Sequence, residues 1–206
     1  MIETIYRGVK LLFNAFVCLA AVQCHAVVLD FDMPVVAPGD QDAYGYNDAY
    51  LEDGFRLRPT THSGSIIRFK PPNNLGVPLP DNGTVHFGVT YYTFVLLDRP
   101  DGALFDFLQI DLSHYAEGVV TNQITLRGNK ADGTSTSVAL SLASTFDPQF
   151  HTFQLDAAWT GLRSVDFLSD GFALDNIVVA IVPEPGSCTI GYLGALILSS
   201  HLRRKK

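Results

Sequence analysis

The stretch Phe172-Ala173-Leu174-Asp175-Asn176-Ile177-Val178-Val179-Ala180-Ile181 decides the fold class. It is rich in β-branched and aromatic residues, and its apolar side chains fill both faces of an extended chain with no 3.6-residue stripe. It therefore predicts a strand buried on both sides. One residue breaks the pattern. Asp175 shares a face with Ile177 and Val179, while Leu174 and Val178 keep the opposite face apolar. A carboxylate in such a place is costly unless it is hydrogen-bonded, paired or coordinated.

Outward from this stretch the chain reads as strand after strand. Strand patterns fall at Val27–Phe31, Ser65–Phe69, Thr84–Val89, Tyr91–Leu97, Leu104–Leu112, Asn122–Arg127, Ser135–Leu142, Phe150–Leu155 and Ser164–Leu168. Turn chemistry separates them at Asp81-Asn82-Gly83, Asp98-Arg99-Pro100-Asp101-Gly102 and Gly128-Asn129-Lys130-Ala131-Asp132-Gly133. No amphipathic stretch of helical length occurs between residues 27 and 182. The expectation is an all-β domain over residues 27–181, a jelly-roll β-sandwich. Pro34–Pro80, rich in Pro, Gly and Asn, is expected to form irregular loops around its one strand. Trp159, just before Gly161-Leu162, is expected in the core.

The two ends differ from the middle. Arg7 and Lys10 precede an uncharged run, Leu11 to Val22, and Cys24 and Ala26 stand three and one positions before a cut after residue 26. Residues 1–26 thus read as a secretory signal peptide. An alternative, acylation of Cys24, has the large polar Gln23 against it. At the other end, Gly186 to Leu202 has no charged residue apart from His201, and Arg203-Arg204-Lys205-Lys206 follows. That run spans only about 25 Å as a single helix, marginal for a permanent anchor. The basic cluster is expected to stay on the cytoplasmic side, which puts the domain outside.

Between residues 27 and 182 there are 8 Lys+Arg and 19 Asp+Glu, a net charge of −11, and no cysteine. So acidic a domain is a poor candidate for nucleic acid. Disulfides and thiolate zinc sites are excluded. The same stretch has two glutamates, Glu52 and Glu117, and four histidines, His62, His86, His114 and His151, none spaced as a metal pair on one helical turn. No Gly-x-Ser-x-Gly element is present. The expectation is that the protein is not an enzyme. The rival is a secreted polysaccharide hydrolase, for which two of the many Asp residues would have to face one another. A purely structural surface protein is a third reading.

Val182, Pro183, Glu184 and Pro185, the short apolar segment and the tail Arg203, Arg204, Lys205 and Lys206 together resemble the PEP-CTERM sorting signal, which would occupy residues 182–206. The resemblance implies an exosortase-type membrane peptidase as partner and a Gram-negative host. It also implies transient insertion of the tail into the inner membrane, followed by display at the cell surface or release. A plain single-span anchor is the alternative. The order Phe105-Asp106-Phe107, Ile124-Thr125-Leu126-Arg127-Gly128, Asp132-Gly133-Thr134, Phe153-Gln154-Leu155, Leu162 to Phe167 and Phe172 to Val179 resembles the jelly-roll domains of such proteins. Those domains resemble carbohydrate-binding modules, so a polysaccharide-associated role is implied.

In jelly rolls of that kind a structural calcium ion often ties the first strand to the last through an acid on each. Asp30 and Asp32 on one and Asp175 on the other fit that arrangement. The alternative is hydrogen bonding of Asp175 at a sheet edge with Asp30 and Asp32 solvated. Tyr44, Tyr46 and Tyr50 cluster in a polar loop and are the expected ligand-binding aromatics, stacking on sugar faces; their alternative role is to cover the edge of the sandwich.

Overall fold

The structure, a computed structural model, describes residues 25–182 apart from 35–36, 38–40, 62–63, 71–79, 81–82, 91–92 and 116–120. Ala26–Ile181 is a compact unit. Residues 1–24 of the expected signal peptide, Pro183–Pro185, the apolar segment and the basic tail lie outside the described residues. Among the described residues there are thirteen strands and one short 3-10 turn, Ala157–Trp159. None of their helices is long and apolar enough to cross a membrane.

The strands lie in two layers. In the first, β13 (Phe172–Ile181) is central, with β8 (Phe105–His114) along one edge. Its other edge is shared by β6 (His86–Val89) and then β1 (Ala26–Leu29). Beyond β6 come β5 (Ile66–Phe69) and β2 (Gln41–Tyr44), and beyond β8 comes β11 (His151–Gln154). The second layer runs β3 (Tyr50–Glu52), β4 (Phe55–Pro59), β7 (Val95–Asp98), β12 (Leu162–Phe167), β9 (Gln123–Lys130), β10 (Ser135–Ser141). Leu162 paired with Phe105 joins one layer to the other.

Alternation along each strand delivers the core. Phe87, Phe107, Leu112, Phe172, Ile177 and Val179 from the first layer meet Leu57, Val95, Leu97, Leu126, Val165 and Phe167 from the second, all dry. Each contributes at most about 1.5–3 kcal/mol by leaving water. Trp159 joins them, its ring 6.0 Å from that of Phe107.

The N-terminal third departs from expectation in two ways. Strand β1 ends at Leu29, because Phe31 takes a φ of 61° and turns its ring into the core, against Phe87 at 4.9 Å and Tyr50 at 5.7 Å. The Pro34–Pro80 region, expected to be mostly loop, also forms β2, β3 and β4. Asp53 (φ 47°) and Gly54 (φ 80°) close the β3–β4 hairpin with two left-handed residues, the geometry that Asp-Gly favours because it follows the twist of the strands.

The outer faces of the two layers differ. On the first layer Phe69, His86, Ser113, Ala173 and Asp175 are all buried although they point away from the core. Tyr115 lies so close over Gly88 that a Cβ there would meet its ring at 2.1 Å. On the second layer the outer face is open: Leu51 is 63% and Phe94 42% exposed.

Candidate functional site

Strands β4 and β7 alternate without interruption, so Arg56, Arg58, Leu96 and Asp98 all point outward. Register carries this alternation across the layer in rows. One row runs Leu51, Arg56, Asp98, Ser164, Asn129, Ser135. The next runs Arg58, Leu96, Asp166, Arg127, Ser137. One step further, Thr60 N–H donates to the Phe94 carbonyl at 2.8 Å and Leu168 N–H to the Thr125 carbonyl at 2.8 Å, extending the face to Phe94 and Leu168.

The polar groups on this face are held in fixed pairs. Arg56 grips Asp98 with both Nε (2.8 Å) and Nη2 (2.7 Å), and these bonds hold the guanidinium above its ordinary pKa. Arg127 donates to Asp166 Oδ2 from Nε (3.0 Å) and Nη2 (2.8 Å), and Asn129 Nδ2 bridges Asp166 (3.0 Å) and Ser164 (2.9 Å). Arg58 differs. It makes no hydrogen bond or ion pair among the described residues, and its Nε is shielded from solvent without an acceptor. An aromatic ring, an aliphatic strip and pre-set donors and acceptors thus share one exposed surface.

The expected ligand-binding tyrosines are not brought together on a surface. Tyr50 is 3% exposed, its hydroxyl donating to the Met33 carbonyl at 2.6 Å. Its ring meets Phe87 at 5.1 Å and Tyr44 at 6.0 Å, edge to face. Tyr50 is a core residue, because the φ reversal at Phe31 and the hairpin turn fold this segment inward. Tyr44 is half-buried, and burial raises its phenol pKa above the ordinary value. Tyr46, 37% exposed, alone of the three faces solvent. Tyr44 does line an open depression of about 600 Å³ with Gln41, Asp42, Ala43, Asp48 and Ala49.

Arg68, cross-strand from Asp42, is fully buried. Its Nη1 donates to the carbonyls of Met33 (2.7 Å) and Phe31 (3.3 Å), its Nη2 to Asp42 (2.6 Å), and its guanidinium lies 5.1 Å from the centre of the Tyr50 ring. These partners make it a structural clamp.

The three acids expected at a calcium ion fall near one corner. Asp175 is dry and accepts from the Thr84 hydroxyl (2.7 Å) and from Asn176 N–H (2.8 Å). Asp32 accepts from Val85 N–H at 3.3 Å. Asp30 accepts from Asp32 N–H at 3.2 Å. Residues 84 and 85 therefore link the end of the first strand to the last by hydrogen bonds. Among the described residues no group of three or more His, Cys, Asp or Glu side chains is placed to hold a metal.

Glu52, which sequence reading passed over as a site, has its pKa raised to about 7, first by burial and then by Asp30 beside it; the Phe31 N–H, donating at 3.2 Å, works the other way. The open face was likewise missed. Its signal was present in Phe55-Arg56-Leu57-Arg58, a strict alternation inside the stretch expected to be loop.

The molecule is an all-β, sandwich-like domain with one covered and one open outer face. No family model matches the chain, and no curated protein matches it. Solved structures do. A family 29 carbohydrate-binding module in complex with mannohexaose aligns at 15% identity over 77% of this chain and 93% of its own, with a TM-score of 0.35. A DUF4465 family protein from Bacteroides ovatus aligns at 8% identity over 77% and 100%, TM-score 0.42. The enzymatically active domain of tailspike protein 4 from bacteriophage CBA120 aligns at 14% identity over 63% of this chain, which spans only 20% of that one, TM-score 0.35. At these identities and scores the likeness bears on neither ligand nor activity.

Proposed function

We propose that this domain is a non-catalytic glycan-binding module of an exported protein, and that the open face of the second layer is where it binds. The observation that carries this reading is Phe94, 42% exposed at the margin of a sheet face that also carries the fixed pairs Arg56–Asp98 and Arg127–Asp166. The C–H face of a pyranose can stack on such a ring, as apolar surfaces do on aromatic faces. Arg56–Asp98 and Arg127–Asp166 offer hydroxyl partners already held in place, so little side-chain entropy is lost when a ligand arrives.

The rest of the proposal rests on the termini. The signal-peptide pattern of residues 1–26 supports export. Pro183-Glu184-Pro185 with the basic tail supports handling by an exosortase, brief insertion in the inner membrane, and display or release at the surface of a Gram-negative cell. A jelly-roll order of strands is part of the same reading.

Two measurements test it. Glycan-array screening of the full-length protein is expected to give binding that Phe94→Ala abolishes at unchanged melting temperature; retention of every signal by that variant would refute the surface. Intact-mass analysis of exported protein is expected to show loss of residues 1–26 and an end near Pro183–Pro185. Recovery of a chain still ending in Lys206 would sink the sorting claim while leaving the glycan claim standing.

A further inference from the structure

We infer that the glycan taken by the open face is an acidic one, a polysaccharide bearing carboxylates such as a polyuronate, and that Arg58 is the residue that reads the carboxylate. This rests on the glycan-binding reading above and names its ligand class.

Charge distribution gives the first reason. The domain carries 8 Lys+Arg against 19 Asp+Glu, yet Arg56, Arg58, Arg99, Arg127, Lys130 and Arg163 all lie on or next to strands of the second layer. Arg68 and Lys70 are the remaining two, and Arg68 is committed inside the molecule. Arg56, Arg58 and Arg127 on the open face stand against Asp98 and Asp166, a local excess of one positive charge in a domain of −11. Five of the acids, Asp30, Asp32, Asp40, Asp42 and Asp48, precede β3, the first strand of the second layer in the sequence. A surface of opposite sign to its own domain selects its partner by charge.

Arg58 itself gives the second reason. Arg56 and Arg127 are each neutralised by an aspartate, so neither has charge to spare. Arg58 has no aspartate paired with it among the described residues, and its Nε is shielded without an acceptor. A guanidinium takes a carboxylate through two parallel N–H···O bonds, which neutral hydroxyls cannot match.

Position gives the third. Arg58 pairs with Leu96, and Thr60, two residues on, donates to the Phe94 carbonyl, so Arg58 and Phe94 are diagonal neighbours in the register. Such neighbours are within reach of a single sugar unit, since the strands stand roughly 4.8 Å apart. One uronate residue can therefore stack on Phe94 while its carboxylate meets Arg58.

The test compares full-length protein on polygalacturonate and on the same polymer fully methyl-esterified, by affinity electrophoresis, with wild type, Arg58→Gln and Phe94→Ala. Melting curves first show that all three are folded. Expected is binding to the acid polymer that is about tenfold weaker for the ester, and about tenfold weaker for Arg58→Gln on the acid polymer. Arg58→Gln should bind the ester as wild type does, and Phe94→Ala should weaken both. Equal binding of acid and ester, or an undiminished Arg58→Gln, overturns the acidic ligand; if Phe94→Ala still weakens binding, the glycan surface itself survives. Undiminished Phe94→Ala overturns the surface as well. Retention of neither polymer overturns this inference.

Discussion

The Thr84 hydroxyl donates to Asp175 Oδ2 at 2.7 Å, joining residues 91 positions apart. The bond solves the problem posed by a carboxylate on an apolar strand, since hydrogen bonds to a buried charge offset much of its desolvation. Thr84→Val keeps the shape and deletes the donor. A loss of about 2 kcal/mol is expected, a fall in melting temperature of roughly 4–8 °C for a domain of this size. A shift under 1 °C would show that Asp175 is supported by its other contacts.

Calcium enters the same corner as a rival explanation. Asp32 and Asp175 are occupied by Val85 N–H and by Thr84 and Asn176. Chelator and millimolar calcium are both expected to leave the melting curve in place. A rise of about 6–10 °C on adding calcium, as saturation at a hundredfold excess over Kd would bring, would establish a metal clip there.

Glu52 makes stability depend on pH. Its folded pKa of about 7 lies above the ordinary 4.5, so the folded state holds its proton when the unfolded chain has released it. The contribution is whole below about 4.5 and is lost as pH rises through about 7. Allowing for solvent screening of a partly exposed group, it amounts to about 1 kcal/mol. Melting temperature is expected to fall by roughly 2–4 °C from pH 4.5 to pH 8 on this account. In Glu52→Gln, which keeps an acceptor for Phe31 N–H, that part of the slope should vanish. An identical slope in the variant would assign it to other groups.

Arg68 holds two carbonyls and Asp42 with one planar group. Arg68→Lys keeps the charge and loses the fork, so it is not expected to rescue the fold. Both Arg68→Lys and Arg68→Ala should cost about 3 kcal/mol or more, with roughly 6–12 °C lost in melting temperature. A lysine variant melting within 2 °C of wild type would show that charge alone suffices.

How much of this was legible follows from strand character. Strands β8, β10 and β13 are long and strongly patterned, and alternation or apolar density reveals them. The second layer's β3 and β4 have only three and five residues, and their surroundings are full of proline and glycine, which mask so short a pattern. The Asp53-Gly54 hairpin signal was nevertheless there to read. Tyr50 was beyond reach: its burial depends on the φ reversal at Phe31, a backbone choice that a bulky residue rarely makes. The open face was hidden for another reason. Arg58, Asp166 and Asn129 come from three strands and Phe94 from the residue before a fourth, and only the register makes them neighbours.

The pairing of β1 with β13, Ala26 beside Ala180 and Leu29 beside Ile177, has a mechanical meaning. The two antiparallel strands enter and leave the domain at the same end. Tension between the flanking segments therefore opens this ladder like a zip, one hydrogen bond at a time, at low force. Tension between a bound partner on the second layer and the chain after Ile181 is different. It pulls on β13, which is held along both edges by β1, β6 and β8, so several bonds resist together. Pulling single molecules by the two geometries should give a weak first rupture in one and a strong one in the other; equal forces would count against this account. A protein tethered at one end and gripping its ligand at the other would then be loaded along its stronger direction.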